Sequence, residues 1–154
     1  MIVGFDLDGV LCDMDPVQLQ ICRTWTTDTE KYLADIYNRS RAPLLNPRMF
    51  LAEGDTWYII TSRHEAFREA TEQWVQKFLP DCDGLFIVGG TPWWEFEDWY
   101  EWHKIAAKAK AAKIKELGCD IYIDDSPSFV RSIREELSIP VIQYGGRLDS
   151  KWNK

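Results

Sequence analysis

Short apolar runs alternate with longer amphipathic stretches along this chain. Five runs have the composition of buried strands, and they cover residues 2–6, 57–61, 85–88, 121–124 and 140–144. Between them, apolar residues recur at helical spacing, which predicts helices over 16–25, 28–38, 62–79 and 103–117 and a further helix after Ser126. Strands that alternate with helices form a parallel sheet covered on both faces. The pattern predicts an α/β fold, a Rossmann-like three-layer sandwich with a central parallel sheet of about five strands.

Single residues mark several of the predicted helix ends. Ser62 and Glu65 stand at the spacing of a capping box, so we expect a helix to begin at Ser62. Gly118 is typical of the position just after a helix. Pro127, directly after Ser126, is typical of a first helical turn.

Composition limits the kind of protein that the chain can be. Its 154 residues suffice for one domain, and its apolar runs are far shorter than the ~20 residues of a membrane span. The first residues lack the features of a signal peptide, so we expect a cytoplasmic protein without membrane contact. The net charge of −7 disfavours a stable nucleic-acid complex but leaves a small anionic substrate open if a cation is bound. The four cysteines have no CxxC spacing, so we do not expect zinc.

Residues with catalytic or metal-binding chemistry follow three of the predicted strands. The first strand leads into Asp6 and Asp8, the fourth into Asp124 and Asp125, and the second into the polar run 61–63. Because the carboxyl ends of parallel strands share one edge of the sheet, these side chains should converge. Four converging carboxylates repel one another unless a cation lies among them, and an all-oxygen ligand set suits Mg²⁺. The sequence therefore predicts a magnesium site at this edge.

The order and spacing of these residues resemble the haloacid dehalogenase (HAD) superfamily of phosphatases. Residues 5–11, Phe-Asp-Leu-Asp-Gly-Val-Leu, are similar to its first motif, Ile60-Thr61 to its second, and residues 123–125 to its fourth. The resemblance covers the core elements of the whole chain. It also implies a third motif, a lysine at the start of the helix that precedes the fourth motif.

Five lysines of the predicted helix 103–117 are candidates for the third motif, namely Lys104, Lys108, Lys110, Lys113 and Lys115. The N-terminus of this helix faces the active-site edge of the sheet. At ~1.5 Å per residue, Lys115 would lie roughly 16 Å farther from that edge than Lys104. We therefore predict that Lys104 binds phosphate, with Lys108 as the alternative. Some members of the superfamily instead place this lysine about ten positions before the paired aspartates, which leaves Lys115 as a further candidate.

The resemblance implies a role for each matched residue. Asp6 would attack phosphorus and form an aspartyl-phosphate. Asp8 would protonate the leaving oxygen and later activate water, while its backbone carbonyl ligates magnesium. Asp6 and Asp124 would ligate the metal, and Asp125 would either join them or support them from behind. Thr61 would donate a hydrogen bond to the phosphoryl oxygens.

Four other residues carry weaker signals. Ser62 is expected to cap a helix first and to bind phosphate second. Arg63 is a candidate for binding the substrate phosphate, although an exposed surface arginine is the more common case. His64 and His103 are expected at the surface, because the implied mechanism uses neither.

An acidic and aromatic insertion occupies residues 91–102. Within it, Trp93 and Trp94 are candidates for stacking on a nucleobase of the substrate. A satellite core, or a contact between two copies of the chain in a homodimer, fits the same residues equally well.

The motifs leave a small helical cap insert, about 14–54, between the core segments 1–13 and 55–154. Among HAD phosphatases, the chain is most similar to the 5'(3')-deoxyribonucleotidase branch. The similarity lies in this small insert and in the motif sequences Asp-Leu-Asp-Gly-Val-Leu-Cys-Asp and Ile-Thr-Ser-Arg. The resemblance implies a Mg²⁺-dependent phosphomonoesterase for nucleoside monophosphates. The alternatives are a phosphatase for a sugar or cofactor phosphate, a nucleic-acid end phosphatase, and a catalytically silent binding protein of the same fold.

Overall fold

A computed structural model describes residues 1–12, 44–90 and 95–145 of the chain. The predicted helices over 16–25 and 28–38 lie outside these residues, as do Trp93 and Trp94. Within the described ranges, no helix combines the length and the apolar character that crossing a membrane requires.

Five parallel strands form one sheet in the order β3-β2-β1-β4-β5. The strands are β1 (Ile2–Phe5), β2 (Thr56–His64), β3 (Gly84–Gly89), β4 (Ile121–Asp124) and β5 (Val141–Gln143). The helices of the described residues are α1 (Arg68–Phe78), α2 (Trp99–Glu116) and α3 (Pro127–Glu136), and two 3₁₀ turns cover Pro47–Met49 and Glu65–Phe67. The predicted α/β fold with a parallel sheet is confirmed.

Apolar side chains cover both faces of the sheet, which explains why the strands read as continuous apolar runs. On one face, Phe5 and Ile59 pack with Trp74 of α1. On the other face, Ile60 packs with residues of α2 and α3, including Ile114 and Ile133. Ile59 and Ile60 are neighbours in β2 and both are fully buried, because successive side chains of a strand point to opposite faces. The result is the predicted three-layer arrangement.

The helix predicted to begin at Ser62 begins later, because β2 continues through His64. β3 pairs with β2 as far as His64 and Gly89, with a register shift between Thr61 and His64. The residue that caps the following turn is His64, whose Nδ1 accepts a hydrogen bond from the Ala66 amide. The capping-box interpretation of Ser62 is therefore wrong, because hydrogen bonding to β3 keeps this segment extended.

Candidate active site

A tight loop after β1 carries the first pair of aspartates. The Asp6 amide donates to the Ile123 carbonyl at 2.8 Å, which fixes Asp6 beside the end of β4. Beyond it, the Cys12 amide donates to the Leu7 carbonyl at 2.7 Å and the Gly9 amide donates to the Cys12 carbonyl at 2.9 Å. These bonds close a tight turn over residues 7–12, in which the Asp8 side chain is partly exposed.

Gly9 meets two requirements of this loop that other residues do not. Its φ is +85°, in the left-handed region where glycine is strain-free. A Cβ atom at Gly9 would also collide with the carboxylate of Asp125. The glycine thus lets the loop after β1 approach the end of β4 closely.

Three of the four carboxylates expected at this edge of the sheet lie together, whereas the carboxylate of Asp8 pairs with Arg63. Oxygen atoms of Asp6, Asp124 and Asp125 all lie within 4.8 Å of one another. Asp6 and Asp124 are buried, and Asp124 Oδ1 also accepts a hydrogen bond from the Ser126 amide at 2.9 Å. A compact all-oxygen cluster of this kind fits Mg²⁺, which prefers carboxylate ligands.

The lysine at this cluster is Lys110 rather than Lys104. Its Nζ donates to Asp6 Oδ1 and to Asp124 Oδ2, both at 2.8 Å, and its side chain is 2% exposed. Lys104 lies at the surface with its Nζ 4.7 Å from the ring centre of Tyr100. The structure therefore corrects the prediction of Lys104, which lies about 9 Å along the helix from Lys110, the lysine that reaches the carboxylates.

The sequence did contain a signal for Lys110. The buried residues of α2 include Ala106, Ala107, Ala111 and Ile114, which define the helix face that packs on the sheet. Lys110 lies in phase with them, whereas Lys104 and the alternative Lys108 are exposed. The position of each lysine around the helix thus identifies Lys110, whereas distance along the helix pointed to Lys104.

Burial and mutual repulsion shift the pKa values of the cluster. Burial raises the pKa of Asp6 well above its usual value, the Lys110 ammonium opposes this shift, and the charges of Asp124 and Asp125 add to it. Burial, followed by the charge of Asp124, raises the pKa of Asp125 to about 7. Burial also opposes the charged form of Lys110, but Asp124 and Asp6 outweigh it and raise the lysine pKa. Burial is the largest cause of both raised acid pKa values. Independently of these shifts, three carboxylates lie beside one lysine, and a divalent cation would balance that excess of negative charge.

The end of β2 carries two hydroxyl side chains, and β2 runs parallel to β1, so they lie at the same edge of the sheet as Asp6. Thr61 is 1% exposed, and its Oγ1 accepts a hydrogen bond from the Arg63 amide at 3.2 Å. The Ser62 Oγ is buried and makes no hydrogen bond among the described residues. Both hydroxyls retain a hydrogen with which to donate to an anion.

Arg63 is neither an exposed surface arginine nor open to substrate in this structure. The residue is 4% exposed, and its guanidinium forms a bidentate ion pair with the carboxylate of Asp8.

His103 also differs from the prediction that it lies at the surface. It is 1% exposed, and its ring centre lies 4.2 Å from that of Phe129. Burial lowers the pKa of His103 to about 4, so the imidazole is neutral near pH 7. Residues that were expected at the surface thus form part of the packing around the site.

Comparison with known proteins gives matches among solved structures. No family model matches the chain, and no curated protein sequence matches it. A chain of the Pnkp1/Rnl/Hen1 RNA repair complex is 20% identical with a TM-score of 0.55, and the match covers 96% of this chain and 43% of that one. This chain therefore spans less than half the length of that relative.

Two HAD enzymes match over most of both chains. The HAD family enzyme BT-2542 of Bacteroides thetaiotaomicron, in a magnesium complex, is 13% identical with a TM-score of 0.54, covering 98% of this chain and 96% of that one. The L-2-haloacid dehalogenase of Xanthobacter autotrophicus is 14% identical with a TM-score of 0.57, covering 97% of this chain and 79% of that one. Likenesses at such low identity establish the architecture, and the chain therefore has the α/β fold of the HAD family enzymes.

Proposed function

We propose that this protein is a magnesium-dependent phosphomonoesterase in which Asp6 is the nucleophile. The observation that carries the proposal is the buried contact of Lys110 with both Asp6 and Asp124, 2.8 Å to each, in a cluster completed by Asp125. Burying three carboxylates and a lysine at the carboxyl ends of two strands costs free energy, and a bound ligand of complementary charge would offset that cost. A phosphate ester and a divalent cation together match that charge pattern.

In the first step, a carboxylate oxygen of Asp6 attacks phosphorus. Lys110 holds Asp6 Oδ1, so Oδ2 is the oxygen that we assign as the nucleophile. The bond between phosphorus and the leaving oxygen breaks, and the electron pair departs with that oxygen, which takes a proton from Asp8.

In the second step, water attacks phosphorus of the aspartyl-phosphate. The water proton passes to Asp8, the bond from phosphorus to Asp6 breaks, and inorganic phosphate leaves. Asp6 is then a carboxylate again and Asp8 is protonated again, so the cycle closes.

We assign the metal to the carboxylates of Asp6, Asp124 and Asp125 and to the Asp8 carbonyl. Bound magnesium would screen the repulsion between the Asp6 carboxylate and an anionic phosphate. Thr61 accepts its hydrogen bond from an amide, so its hydroxyl hydrogen can donate to a phosphoryl oxygen. Ser62 can donate in the same way, and Lys110 replaces Lys104 as the lysine of the site.

For the substrate, we propose a nucleoside monophosphate. The support is the similarity of the motif sequences to those of the 5'(3')-deoxyribonucleotidase branch. The second candidate is a terminal phosphate of a nucleic acid, which the likeness to a chain of an RNA repair complex favours. The net charge of −7 opposes it, because a long polyanion is repelled more strongly than a single nucleotide.

Phosphate release from a substrate panel tests both the proposed Mg²⁺-dependent reaction and the proposed substrate. The panel contains nucleoside 5'- and 3'-monophosphates, oligonucleotides with a terminal phosphate, sugar phosphates and an aryl phosphate, each with Mg²⁺ and with chelator. We expect release in Mg²⁺ from the mononucleotides, none in chelator, and a loss of at least about 10³-fold in Asp6→Asn. Release only from oligonucleotide ends would select the second candidate.

The panel also separates enzyme from silent binding protein. Folded Asp6→Asn that retains wild-type activity would refute Asp6 as the nucleophile. A folded, Mg²⁺-loaded wild type that releases phosphate from no substrate would favour a binding protein of this fold.

A further inference from the structure

Arg63 contacts Asp8 in a geometry that holds the carboxyl group in one orientation. Its Nε lies 2.9 Å from Asp8 Oδ2 and its Nη2 lies 2.6 Å from Asp8 Oδ1. The Arg63 side chain is 1% exposed, whereas the Asp8 side chain is 29% exposed. The arginine therefore lies behind the carboxyl group, and Asp8 lies between it and solvent.

The guanidinium is itself anchored on its far side. Its Nη1 donates to Thr71 Oγ1 at 3.0 Å, and that hydroxyl donates to the Phe67 carbonyl at 2.8 Å. Its Nη2 also lies 3.4 Å from Cys12 Sγ, in the loop that carries Asp8. Because α1 and this loop both contact the guanidinium, its planar fork has little freedom to turn.

These contacts also exclude the simpler view that Arg63 binds the substrate. Each of its three nitrogen atoms already donates to a protein atom, and a phosphate would have to displace Asp8 to reach it.

We propose that Arg63 is a positioning residue for Asp8 and sets the direction in which the Asp8 carboxyl group meets the leaving oxygen. The inference rests on the proposed phosphatase function. In the first step, the Asp8 proton moves to the leaving oxygen as the bond from phosphorus to that oxygen breaks. Misalignment of Asp8 should therefore slow the reaction only where the leaving oxygen needs that proton.

The dependence of kcat/KM on the leaving group tests the inference. The series runs from dinitrophenyl, nitrophenyl and phenyl phosphate to a nucleoside 5'-monophosphate, all with saturating Mg²⁺. The parameter kcat/KM covers only the steps up to phosphoryl transfer to Asp6, so hydrolysis of the aspartyl-phosphate does not mask the effect. The variants are Arg63→Lys, which retains the charge but not the fork, and Arg68→Lys as the control. Arg68 is 42% exposed and pairs with Glu65 and Glu72 at the surface.

We expect Arg63→Lys to lose about 10²-fold on the nucleotide and about threefold or less on dinitrophenyl phosphate, whose leaving group departs without a proton. Arg68→Lys should match the wild type on every substrate. An equal loss on all substrates would refute the positioning role while the proposed function stands. A wild type that is inactive on the entire series would overturn both.

A second variant keeps the test decisive if Arg63→Lys does not fold. Thr71→Val removes the anchor on the far side of the guanidinium and leaves the ion pair with Asp8 in place. We expect the loss of kcat/KM to depend on the leaving group in the same way but to be smaller, about three- to tenfold on the nucleotide. In that case, a Thr71→Val enzyme whose kcat/KM ratio to wild type is constant along the series would overturn the inference.

Discussion

Lys110 should be the most costly single lysine to remove, because it is the buried cation between two buried acids. Its Nζ lies 2.8 Å from Asp6 Oδ1 and from Asp124 Oδ2. At an effective dielectric constant of about 20, each pair is worth about 6 kcal/mol of Coulomb attraction. Desolvation of the three charges offsets most of this sum, and breaking buried pairs typically costs about 3–5 kcal/mol. We therefore expect Lys110→Met to lower the free energy of unfolding by about 3–5 kcal/mol in metal-free protein.

Urea unfolding in chelator measures this loss, with Lys104→Met as the matched control on the same helix. At a slope of about 2 kcal/mol per molar, the unfolding midpoint of Lys110→Met should fall by about 2 M. The midpoint of Lys104→Met should fall by no more than about 0.3 M, because an exposed substitution changes stability by about 0.5 kcal/mol or less. Added Mg²⁺ should restore part of the loss, since a cation among the carboxylates replaces the missing charge.

The same two variants separate the structural and catalytic consequences. Lys110→Met should have no detectable phosphatase activity even under conditions in which it is folded, whereas Lys104→Met should be fully active. Equal midpoints for the two variants in chelator would refute the electrostatic reasoning, because they would mean that the buried pairs add nothing to stability.

Two further predictions concern the backbone near the site and the metal. Gly89→Ala should destabilise the protein by about 2 kcal/mol or more, because its Cβ would collide with the Arg63 carbonyl. Gly90→Ala is the control: there is open space around its Cβ position, so its stability should stay within about 0.5 kcal/mol of the wild type. Thermal melting compares the two variants, and equal melting temperatures would contradict the close approach of Gly89 to the Arg63 carbonyl. Magnesium at 100 times its dissociation constant should stabilise the wild type by about 2.7 kcal/mol. Gly9→Ala should weaken that stabilisation by displacing Asp125, and an unchanged magnesium titration would argue against a site at this loop.

The carboxylates of the site follow from local sequence. Asp6 and Asp124 stand at the ends of strands whose apolar composition predicts burial in a parallel sheet. Adjacent parallel strands place their carboxyl ends at the same edge, so convergence of these residues required no knowledge of loop structure. Thr61 follows in the same way, because β2 pairs with β1 on its other side.

Contacts between distant segments decided the length of β2 and which of the five lysines of α2 reaches the carboxylates. Ser62 and Glu65 have the local spacing of a helix start, but hydrogen bonds to β3 extend β2 through His64. In α2, distance from the helix start favoured Lys104, whereas the contact of α2 with the sheet selects the face that carries Lys110. Local propensity is a weak preference that tertiary contacts override.

The sequence by itself determined the α/β class, the strands and the aspartates, because hydrophobic periodicity and strand ends are properties of neighbouring residues. Only the tertiary structure decided that Lys110 bridges Asp6 and Asp124 and that Arg63 pairs with Asp8. Lysine and arginine have long, flexible side chains, so their sequence position does not determine where the charge lies. Their partners are set by the packing of helix on sheet and by the turn after β1, which join residues as much as 104 positions apart.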